Sequence, residues 1–385
     1  MKKINTLHMK DLKICSKCIQ PNTRPGIFFN EDSICGACLW EEEKKKIDWS
    51  KRITELKNIV SDAKQKNAVY DCVIGVSGGK DSTKQAITAR DTLGLRCLLV
   101  NYQPEDITNI GSSNIENLKQ LGFDVVSLRP NPKIMKELVR FDFFEHLNPV
   151  KATEFSLYSS AYIIAEKFNI PLVIQGENPG LTVGTSLTGV GKDADALNAY
   201  KLQTLSQGWK EYLQVDGVSE KDLFLFHYDV SKLIDQNTKG IWLQYFLKEW
   251  SYRGNAEFSS KFGFRGRDNF KPEDIGTYVS FGALDSDIVP VNQMLKFIKF
   301  GFGFCMDHVC YDLRDGLMDK KTAIELVLMY DGKCEEGYIE NFCNYLQISR
   351  DDFDKTCEKF RGDIWENKNG ELKNRIHENL KKIND

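Results

Sequence analysis

The sequence predicts an α/β protein in which a doubly wound parallel sheet follows a small cysteine-rich N-terminal module and precedes a mainly helical C-terminal region. Three observations predict this architecture. Two Cys-x-x-Cys pairs lie within the first forty residues, apolar runs alternate with helical patterns over residues 71–174, and an aromatic-rich helical pattern dominates after residue 180. With 385 residues, the chain has room for two or three domains.

Composition and charge limit the classes of partner. The chain is 41% hydrophobic and 28% charged, which is ordinary for a globular protein, and its formal net charge of −3 provides no general basic field for nucleic acid. Residues 1–11 are polar and charged, so no secretory signal is visible, and no stretch approaches the roughly 18 apolar residues of a membrane span. We therefore expect a cytoplasmic protein that binds neither nucleic acid nor membrane. Its eleven cysteines then indicate metal ligation, burial or catalysis rather than disulfides.

The N-terminal module carries two cysteine knuckles of identical spacing. Cys15-x-x-Cys18 and Cys35-x-x-Cys38 are separated by sixteen residues, and each pair can present two thiolates to one tetrahedral ion. A segment this short cannot bury enough apolar surface to fold unaided, so a metal would supply the folding energy. We predict a structural zinc ribbon over residues 1–45, with a redox pair or chance clustering as the alternatives.

The sheet domain is predicted over residues 46–235. A Glu- and Lys-rich helical pattern at residues 39–66 links it to the ribbon. Strands and helices then alternate in the order strand 71–76, helix 80–93, strand 95–100, helix 112–121, strand 125–128, helix 132–144, helix 154–168 and strand 172–174. Ligands of such sheets bind beyond the carboxyl ends of the strands, so we expect the site among the residues that follow each strand.

The most informative strand end is Ser77-Gly78-Gly79-Lys80-Asp81-Ser82, which joins the first strand to the first helix of the sheet domain. The glycines let backbone amides approach an anion, the helix N-terminus adds a favourable dipole, and Lys80 supplies a positive charge. The spacing differs from that of loops that lead to γ-phosphate transfer. It resembles the pyrophosphate loop of ATP pyrophosphatases, which cleave ATP between the α and β phosphates. An ordinary glycine turn is the alternative interpretation.

Two further strand ends complete the predicted nucleotide site. Asn101 follows the second strand, where it would meet the adenosine part of ATP, and Gly176 and Glu177 follow the fourth. Glu177 would hold Mg²⁺ on the pyrophosphate, with Asp81 as a second carboxylate. Strand-end capping and turn formation are the alternative roles for Asn101 and Glu177.

Residues 236–385 are predicted to form a mainly helical substrate and partner region, preceded by a loop rich in Gly, Thr and Ser at residues 180–191. Aromatic residues recur at helical spacing over residues 242–252, and most are expected in the core. Two motifs stand out. Residues 299–304 combine a lysine with two glycines among aromatics, and Asp307-His308 and Arg314-Asp315-Gly316 precede a predicted helix at residues 321–329.

Nearly the whole chain resembles the N-acetyl sugar amidotransferase family, which acts in bacterial surface-polysaccharide (lipopolysaccharide O-antigen) and flagellin-glycan biosynthesis. The motifs that carry the resemblance are the knuckles with residues 22–26, the loop at residues 77–82, Gly176-Glu177-Asn178-Pro179, residues 299–303 and residues 314–316. The resemblance implies that Ser77, Gly78, Gly79, Lys80, Asp81 and Ser82 hold the ATP phosphates and that Gly176 and Glu177 belong to the nucleotide site. It also implies that Lys299 and Arg314 lie near the sugar. The chain departs from the family pattern at residues 304–306, where an arginine is missing, and at residues 180–185, which lack a tyrosine and paired glycines.

The implied reaction is an ATP-dependent carbon–nitrogen ligation that converts an acetamido group of an activated N-acetyl sugar into an acetamidino group. The acetamido oxygen attacks the α-phosphorus of ATP, and ammonia then displaces AMP. Lys80 and Asp81 are the predicted catalytic residues, acting with Mg²⁺ on the departing pyrophosphate. No general base is identified, although His308 and Asp307 are candidates alongside a purely structural role.

Ammonia needs a source, and the sequence has no N-terminal cysteine nucleophile and no Cys-His-Glu glutaminase signature. The resemblance therefore implies separate glutaminase and cyclase-like subunits that supply ammonia. A homo-oligomer is also compatible with the chain.

Two other functions compete with the amidotransferase. A tRNA thiolase also combines zinc-bound cysteines with a pyrophosphate loop, but Cys305 and Cys310 are the only pair here that could carry its persulfide chemistry, and the charge balance is slightly acidic. An ATP-binding adaptor would use the ribbon to bind partners, and it would bind ATP without releasing pyrophosphate.

Overall fold

The structure is a computed structural model that describes residues 11–104, 106–185, 193–201 and 208–384. Residues 1–10 of the predicted polar N-terminus and residues 186–191 of the predicted glycine-rich loop lie outside the described residues. Within the described ranges, no helix combines the length and the apolar character that crossing a membrane requires.

Five parallel strands form one central sheet in the order β3-β2-β1-β4-β5. The strands are β1 Cys72–Gly75, β2 Cys97–Tyr102, β3 Asp124–Leu128, β4 Leu172–Gln175 and β5 Lys239–Trp242. Because parallel strands need crossover connections, helices cover both faces of the sheet. The predicted parallel α/β sheet is confirmed.

The helices divide between the two faces and the C-terminal region. Those in the first half of the chain are α1 Gly36–Lys44, α2 Trp49–Gln65, α3 Lys80–Ile87, α4 Asn109–Gln120, α5 Pro132–His146, α6 Lys151–Phe168 and α7 Pro179–Thr182. Those in the second half are α8 Val230–Asp235, α9 Tyr252–Ser260, α10 Pro272–Ile275, α11 Ile288–Phe300, α12 Phe304–Arg314, α13 Lys320–Tyr330, α14 Glu336–Leu346, α15 Arg350–Phe360 and α16 Arg375–Asn384. A π-helical turn at Thr88–Thr92 continues α3, and single 3-10 turns lie at Ala199–Lys201, Trp209–Gln214, Glu220–Leu223 and Leu243–Phe246.

Successive strand residues point to opposite faces of the sheet, which gives it two hydrophobic cores. Val73 packs with α5, α6 and α8, whereas its neighbour Ile74 packs with α2, α3 and α4. This arrangement explains why the central strands β1, β2 and β4 are buried along almost their whole length rather than at alternate residues, since a sheet covered on both faces has no solvent side.

The fifth strand lies beyond residue 235, where the predicted sheet domain ends. β5 pairs with β4 in parallel register from Leu172↔Lys239 to Gln175↔Trp242, so the sheet includes residues up to 242. Trp242, predicted within a helical aromatic pattern, therefore lies on a strand and is fully buried there. A segment of four residues has no periodicity long enough to separate strand from helix, and here the open edge of β4 decides the outcome.

The C-terminal region is mainly helical, as predicted, and ends with an antiparallel hairpin of β6 Trp365–Lys368 and β7 Glu371–Asn374 before α16. Its helices pack against α5, where Phe143 stacks on Phe353 with ring centroids 5.4 Å apart. The N-terminal module shares one hydrophobic core with α12 and α13, through Cys18 and Ile27 on one side and Val309 on the other. The module is therefore built into the C-terminal core.

Candidate active site

The strand order creates a crevice between β1 and β4. From β1 the chain moves outward to β2 and β3, and then returns to place β4 on the other side of β1. The loops that leave β1 and β4 therefore diverge at the carboxyl edge of the sheet, which is where α/β proteins bind ligands. The loop at residues 77–82 leaves β1, and Glu177 follows β4.

The loop at residues 77–82 has the backbone of an anion cradle. Gly78 adopts a φ of +78°, and Gly79 is the extended N-cap residue of α3, with no side-chain cap on the helix amides. A Cβ at Gly78 would lie 2.9 Å from the carbonyl oxygen of Gly111. Glycine is therefore required at this position for both conformation and space, and the uncapped amides of α3 point to an anion.

Replacing Gly78 with alanine should lower the free energy of unfolding by about 2–4 kcal/mol, because it combines left-handed strain with a backbone clash. Gly122→Ala is the matched control, since Gly122 has a φ of +87° but no other atom lies within 4 Å of the place that its Cβ would take. The control should lose only about 1 kcal/mol. Urea denaturation measures both, and equal losses would show that the loop is not closely packed against α4.

The loop opens into a cavity of about 470 Å³ between the sheet edge and the C-terminal region. The sheet domain contributes Ser77, Gly79, Lys80, Asp81, Glu154 and Glu177, and the C-terminal region contributes Tyr252, residues 281–285, Gln293, Phe304, Asp307, His308 and Tyr311. The structure thus brings most of the predicted phosphate loop together with Glu177. It also adds a C-terminal wall.

Helix α9 fixes the positions of Lys80 and Asp81. Lys80 forms an ion pair with Asp81, and Asn255 donates its side-chain amide to Asp81 Oδ1 over 2.7 Å. Lys84 Nζ donates to Asn255 Oδ1 over 2.8 Å, and Ser259 Oγ donates to the Lys80 carbonyl over 2.6 Å. The network holds both candidate catalytic side chains in one arrangement before any ligand binds, which is the condition for positional catalysis.

Tyr252 extends this arrangement to His308. The Lys80 ammonium lies 3.8 Å from the centroid of the Tyr252 ring, and the Tyr252 hydroxyl lies 2.8 Å from His308 Nε2. The Thr277 hydroxyl lies 2.5 Å from His308 Nδ1. Burial lowers the pKa of His308 to about 3, so its ring is neutral at pH 7 and both nitrogens are engaged by hydroxyls. His308 therefore positions Tyr252.

Asp307 is also occupied. It forms ion pairs with Arg24, from the N-terminal module, and with Lys296 of α11, whose Nζ lies 2.7 Å from Asp307 Oδ2. Burial alone would raise the pKa of Asp307, but these two positive charges hold it below its usual range. The guanidinium of Arg24 also lies 4.7 Å from the centroid of the Phe302 ring. The cysteine-rich module thus contacts the wall of the cavity directly.

Glu177 and Asp81 offer carboxylate oxygens to the same cavity. The pKa of Glu177 is raised to about 7, mainly by burial and further by the charge of Asp81. Carboxylate oxygens are the protein ligands that Mg²⁺ prefers, and a divalent cation held by both groups would relieve their repulsion. The pair therefore fits the predicted magnesium site.

Gly78 and Ser82 of the loop do not line the cavity, and neither do four predicted nucleotide and sugar residues outside the loop. Asn101 is buried and donates its amide to the carbonyl oxygens of Val76, over 2.9 Å, and Tyr102, over 3.3 Å, which joins the ends of β1 and β2. Gly176 packs so closely on Gln85 that a Cβ would clash with the amide of that side chain. Both residues therefore shape the sheet edge behind the cavity.

The other two are Lys299 and Arg314. Lys299 Nζ donates to the carbonyl oxygen of His146 over 2.6 Å, and burial lowers the pKa of this lysine to about 8. Arg314 donates to the carbonyl oxygen of Thr182 over 3.1 Å and to Cys18 Sγ over 3.6 Å. Lys299 thus joins α11 to α5, and Arg314 joins α12 to the cysteine cluster and to the segment after β4.

The four cysteines of the knuckles meet in one buried cluster whose sulfur atoms all lie within 4.8 Å of one another. The sulfur atoms of Cys15 and Cys38 are 3.8 Å apart, and those of Cys18 and Cys35 are 3.5 Å apart. Four thiolates at about 2.3 Å from a tetrahedral zinc ion would lie about 3.8 Å from one another, so the cluster fits the predicted ion.

Sequence reasoning missed most of the C-terminal wall. Tyr252 belongs to an aromatic run that predicted a core helix, and it begins α9 instead. Asp285 and Gln293 carry no motif, although the polar segment before α11 indicates a loop at the sheet edge. What brings these residues to the cavity is the packing of α9, α11 and α12, which one sequence does not reveal.

Comparison with known proteins finds similarity to a family model and to solved structures. Residues 275–381, about a quarter of the chain, match the family model "LPS biosynthesis protein WbpG-like, C-terminal domain". A solved structure described as NMN synthetase from Francisella tularensis is 18% identical, with 58% of this chain and 100% of that chain covered and a TM-score of 0.29. That likeness is too distant to carry an argument. No curated protein matches the chain. The C-terminal region, including the cavity residues from Phe281 to Tyr311, is therefore similar to a domain of LPS biosynthesis proteins.

Proposed function

We propose that this protein is an ATP-dependent, AMP-forming amidotransferase of bacterial surface glycan biosynthesis, which converts the acetamido group of an activated N-acetyl sugar into an acetamidino group. One observation carries the proposal: the phosphate loop, Glu177 and the wall from the C-terminal region line a single cavity at the switch point of the sheet. The similarity of residues 275–381 to an LPS biosynthesis domain supports the glycan pathway. The loop at residues 77–82 supports a sheet domain of the ATP-pyrophosphatase type.

The first step activates the acceptor. An amide carbonyl is a weak electrophile toward ammonia, so its oxygen attacks the α-phosphorus of ATP, the α–β phosphoanhydride bond breaks, and pyrophosphate leaves. Lys80 and the amides at the start of α3 stabilise the charge that grows on the pyrophosphate. Asp81 and Glu177 would hold Mg²⁺, which when bound neutralises phosphate charge.

The second step replaces the activated oxygen. Ammonia attacks the imidate carbon, the carbon–oxygen bond breaks, and AMP departs with the former acetamido oxygen while ammonia loses a proton. The products are the amidine, AMP and pyrophosphate. His308 is neutral with both nitrogens engaged, and Asp307 is ion-paired, so neither residue is assigned as the base.

A tRNA thiolase is disfavoured by the position of its candidate cysteines. Among the described residues, no cysteine lines the cavity. Cys305 and Cys310 are buried in the core of the cysteine module, and the Cys310 thiol donates to the carbonyl oxygen of Cys18 over 2.8 Å. Separate glutaminase and cyclase-like subunits remain the proposed source of ammonia, and a homo-oligomer and a cytoplasmic location remain predictions.

The proposal is tested by incubating the protein with ATP, Mg²⁺, an ammonium salt and a panel of UDP- and CMP-linked N-acetylated sugars, followed by mass spectrometry. We expect AMP, and one sugar lighter by the difference between an oxygen atom and an NH group. Formation of AMP only with tRNA would favour the thiolase. If the protein bound ATP but released no pyrophosphate, even after a glutaminase partner was added, the adaptor would be favoured.

A further inference from the structure

The C-terminal wall of the cavity contains polar groups that face the cavity, and one of them has no hydrogen-bond partner among the described residues. We call residues 281–285 together with Gln293 the acceptor wall, since all of them line the cavity. Gln293 Oε1 is buried and has no hydrogen-bond partner. Within the described ranges, the carboxylate of Asp285 forms no ion pair; burial raises its pKa to about 6, and the nearby charge of Arg267 only partly opposes this shift. A buried acceptor without a donor costs about 1–3 kcal/mol, which a ligand that donates hydrogen bonds would recover.

The backbone of the acceptor wall is held in place from outside the cavity. Arg267 donates to the carbonyl oxygens of Gly282 and Ala283, and Thr108 donates to that of Leu284. Ala283 has a φ of +50°, an unfavourable conformation for a residue with a side chain. Such strain persists only where surrounding contacts impose it, and it is concentrated at ligand sites. The acceptor wall is thus organised before ligand binds.

The charges of the cavity exclude an anion from the acceptor wall. Among the described lining residues, Lys80 is the only lysine or arginine, and it pairs with Asp81. The cations nearest to Asp307 are already paired with it, and His308 is neutral. Arg267 lies behind the acceptor wall, and its guanidinium donates to the carbonyl oxygens of Gly282 and Ala283. A phosphate near Asp285 would therefore meet a carboxylate and no lining cation other than Lys80.

The remaining surface of the acceptor wall suits a neutral polar ring. Phe281 packs beside Tyr252 with ring centroids 5.3 Å apart, so the cavity that holds the acceptors of Gln293 and Asp285 also has an aromatic surface. Gly282 has no space for a Cβ, which would lie 2.9 Å from Phe304 Cζ and 3.0 Å from the Tyr252 hydroxyl. Aromatic surface together with hydrogen-bond acceptors matches a ring that carries hydroxyl and amide N–H groups.

We propose that the acceptor wall is the sugar subsite, in which Asp285 and Gln293 accept hydrogen bonds from the hydroxyl and N–H groups of a neutral N-acetylated ring, while any phosphate handle lies elsewhere. This assignment rests on the proposed function for the identity of the ring. It replaces Lys299 and Arg314, which lie outside the cavity, as the residues that recognise the sugar. Asp285 and Gln293 are specificity residues that touch the sugar away from the transferred adenylyl group.

Calorimetry with N-acetylglucosamine, UDP-N-acetylglucosamine and UDP as probes tests the subsite, in the presence of Mg²⁺ and a non-hydrolysable ATP analogue. Asp285→Asn and Gln293→Ala should each weaken the binding of both sugars by about tenfold or more, which corresponds to about 1.4 kcal/mol. The affinity for the ATP analogue should stay unchanged. Asp287→Asn and Asn292→Ala are matched controls, since these neighbours do not line the cavity, and they should bind like the wild type.

Three outcomes would overturn the assignment. In the first, the wild type binds neither sugar. In the second, the variants bind both sugars as tightly as the wild type does. In the third, the variants lose as much affinity for UDP as for UDP-N-acetylglucosamine. The test is separable from that of the proposed function because binding does not require turnover. Sugar binding with the expected pattern but without AMP formation would keep the subsite and refute the amidotransferase chemistry. AMP formation together with unchanged sugar binding in both variants would refute the subsite and keep the amidotransferase chemistry.

Discussion

Replacing Lys80 with alanine should lower the rate of AMP formation by about a thousandfold or more, because the variant loses the cation closest to the leaving pyrophosphate. The fold should survive the change. Ser259 Oγ of α9 donates to the backbone carbonyl of Lys80 over 2.6 Å and so anchors the start of α3. Alanine at position 80 keeps this carbonyl and therefore the contact. The rates of AMP and pyrophosphate release, measured in quenched time courses, test this prediction.

The control for Lys80→Ala is Lys57→Ala, which removes an exposed lysine from α2. Both variants should keep the zinc content and the circular dichroism of the wild type, and Lys57→Ala should also keep its rate. If Lys80→Ala turned over at the wild-type rate, the phosphate loop would not be the reaction site.

Replacing Cys18 with serine should remove the metal and lower the unfolding temperature by about 10 °C or more, because the zinc binding energy is folding energy. The loss should extend beyond the N-terminal module. Cys18 shares a hydrophobic core with α12 and α13, and Arg24 of the same module pairs with Asp307 in the cavity wall. AMP formation should therefore fall together with the zinc content, as measured by metal analysis and thermal unfolding.

Cys334→Ser is the matched control, since Cys334 is half-buried and lies outside the four-cysteine cluster. It should leave the zinc content and the unfolding temperature unchanged. A Cys18→Ser protein that kept its metal, or that lost the metal without losing stability, would refute a structural zinc site.

The glycine turn at residues 77–82 and the cysteine cluster were predictable because each depends on residues close together in the chain. A buried strand, two glycines and a helix start determine the backbone of residues 77–82, and two Cys-x-x-Cys turns present their thiolates locally. The strand β5 was not predictable in this way. Its four residues are ordered by the open edge of β4, which lies more than sixty residues earlier in the chain, and not by a pattern of their own.

The residues proposed to bind the sugar illustrate a second limit. Gln293 and Lys299 belong to the same helix, α11, but they are six residues apart, which turns their side chains by about 240° around the helix axis. Gln293 lines the cavity, whereas Lys299 donates to a carbonyl of α5. A motif in the sequence identifies the helix, but only the packing of the helix decides which face meets the ligand.

The central claim, that ATP activates the acceptor oxygen at its α-phosphorus, is tested most directly by isotope transfer. The accepted sugar is prepared with ¹⁸O in its acetamido carbonyl and converted with ATP, Mg²⁺ and ammonium, and the nucleotide products are analysed by mass spectrometry. The account predicts that the label leaves the sugar and appears in the phosphate of AMP. Label in inorganic phosphate, with ADP as the nucleotide product, would indicate γ-phosphate transfer and contradict the account, as would label that stays on the sugar.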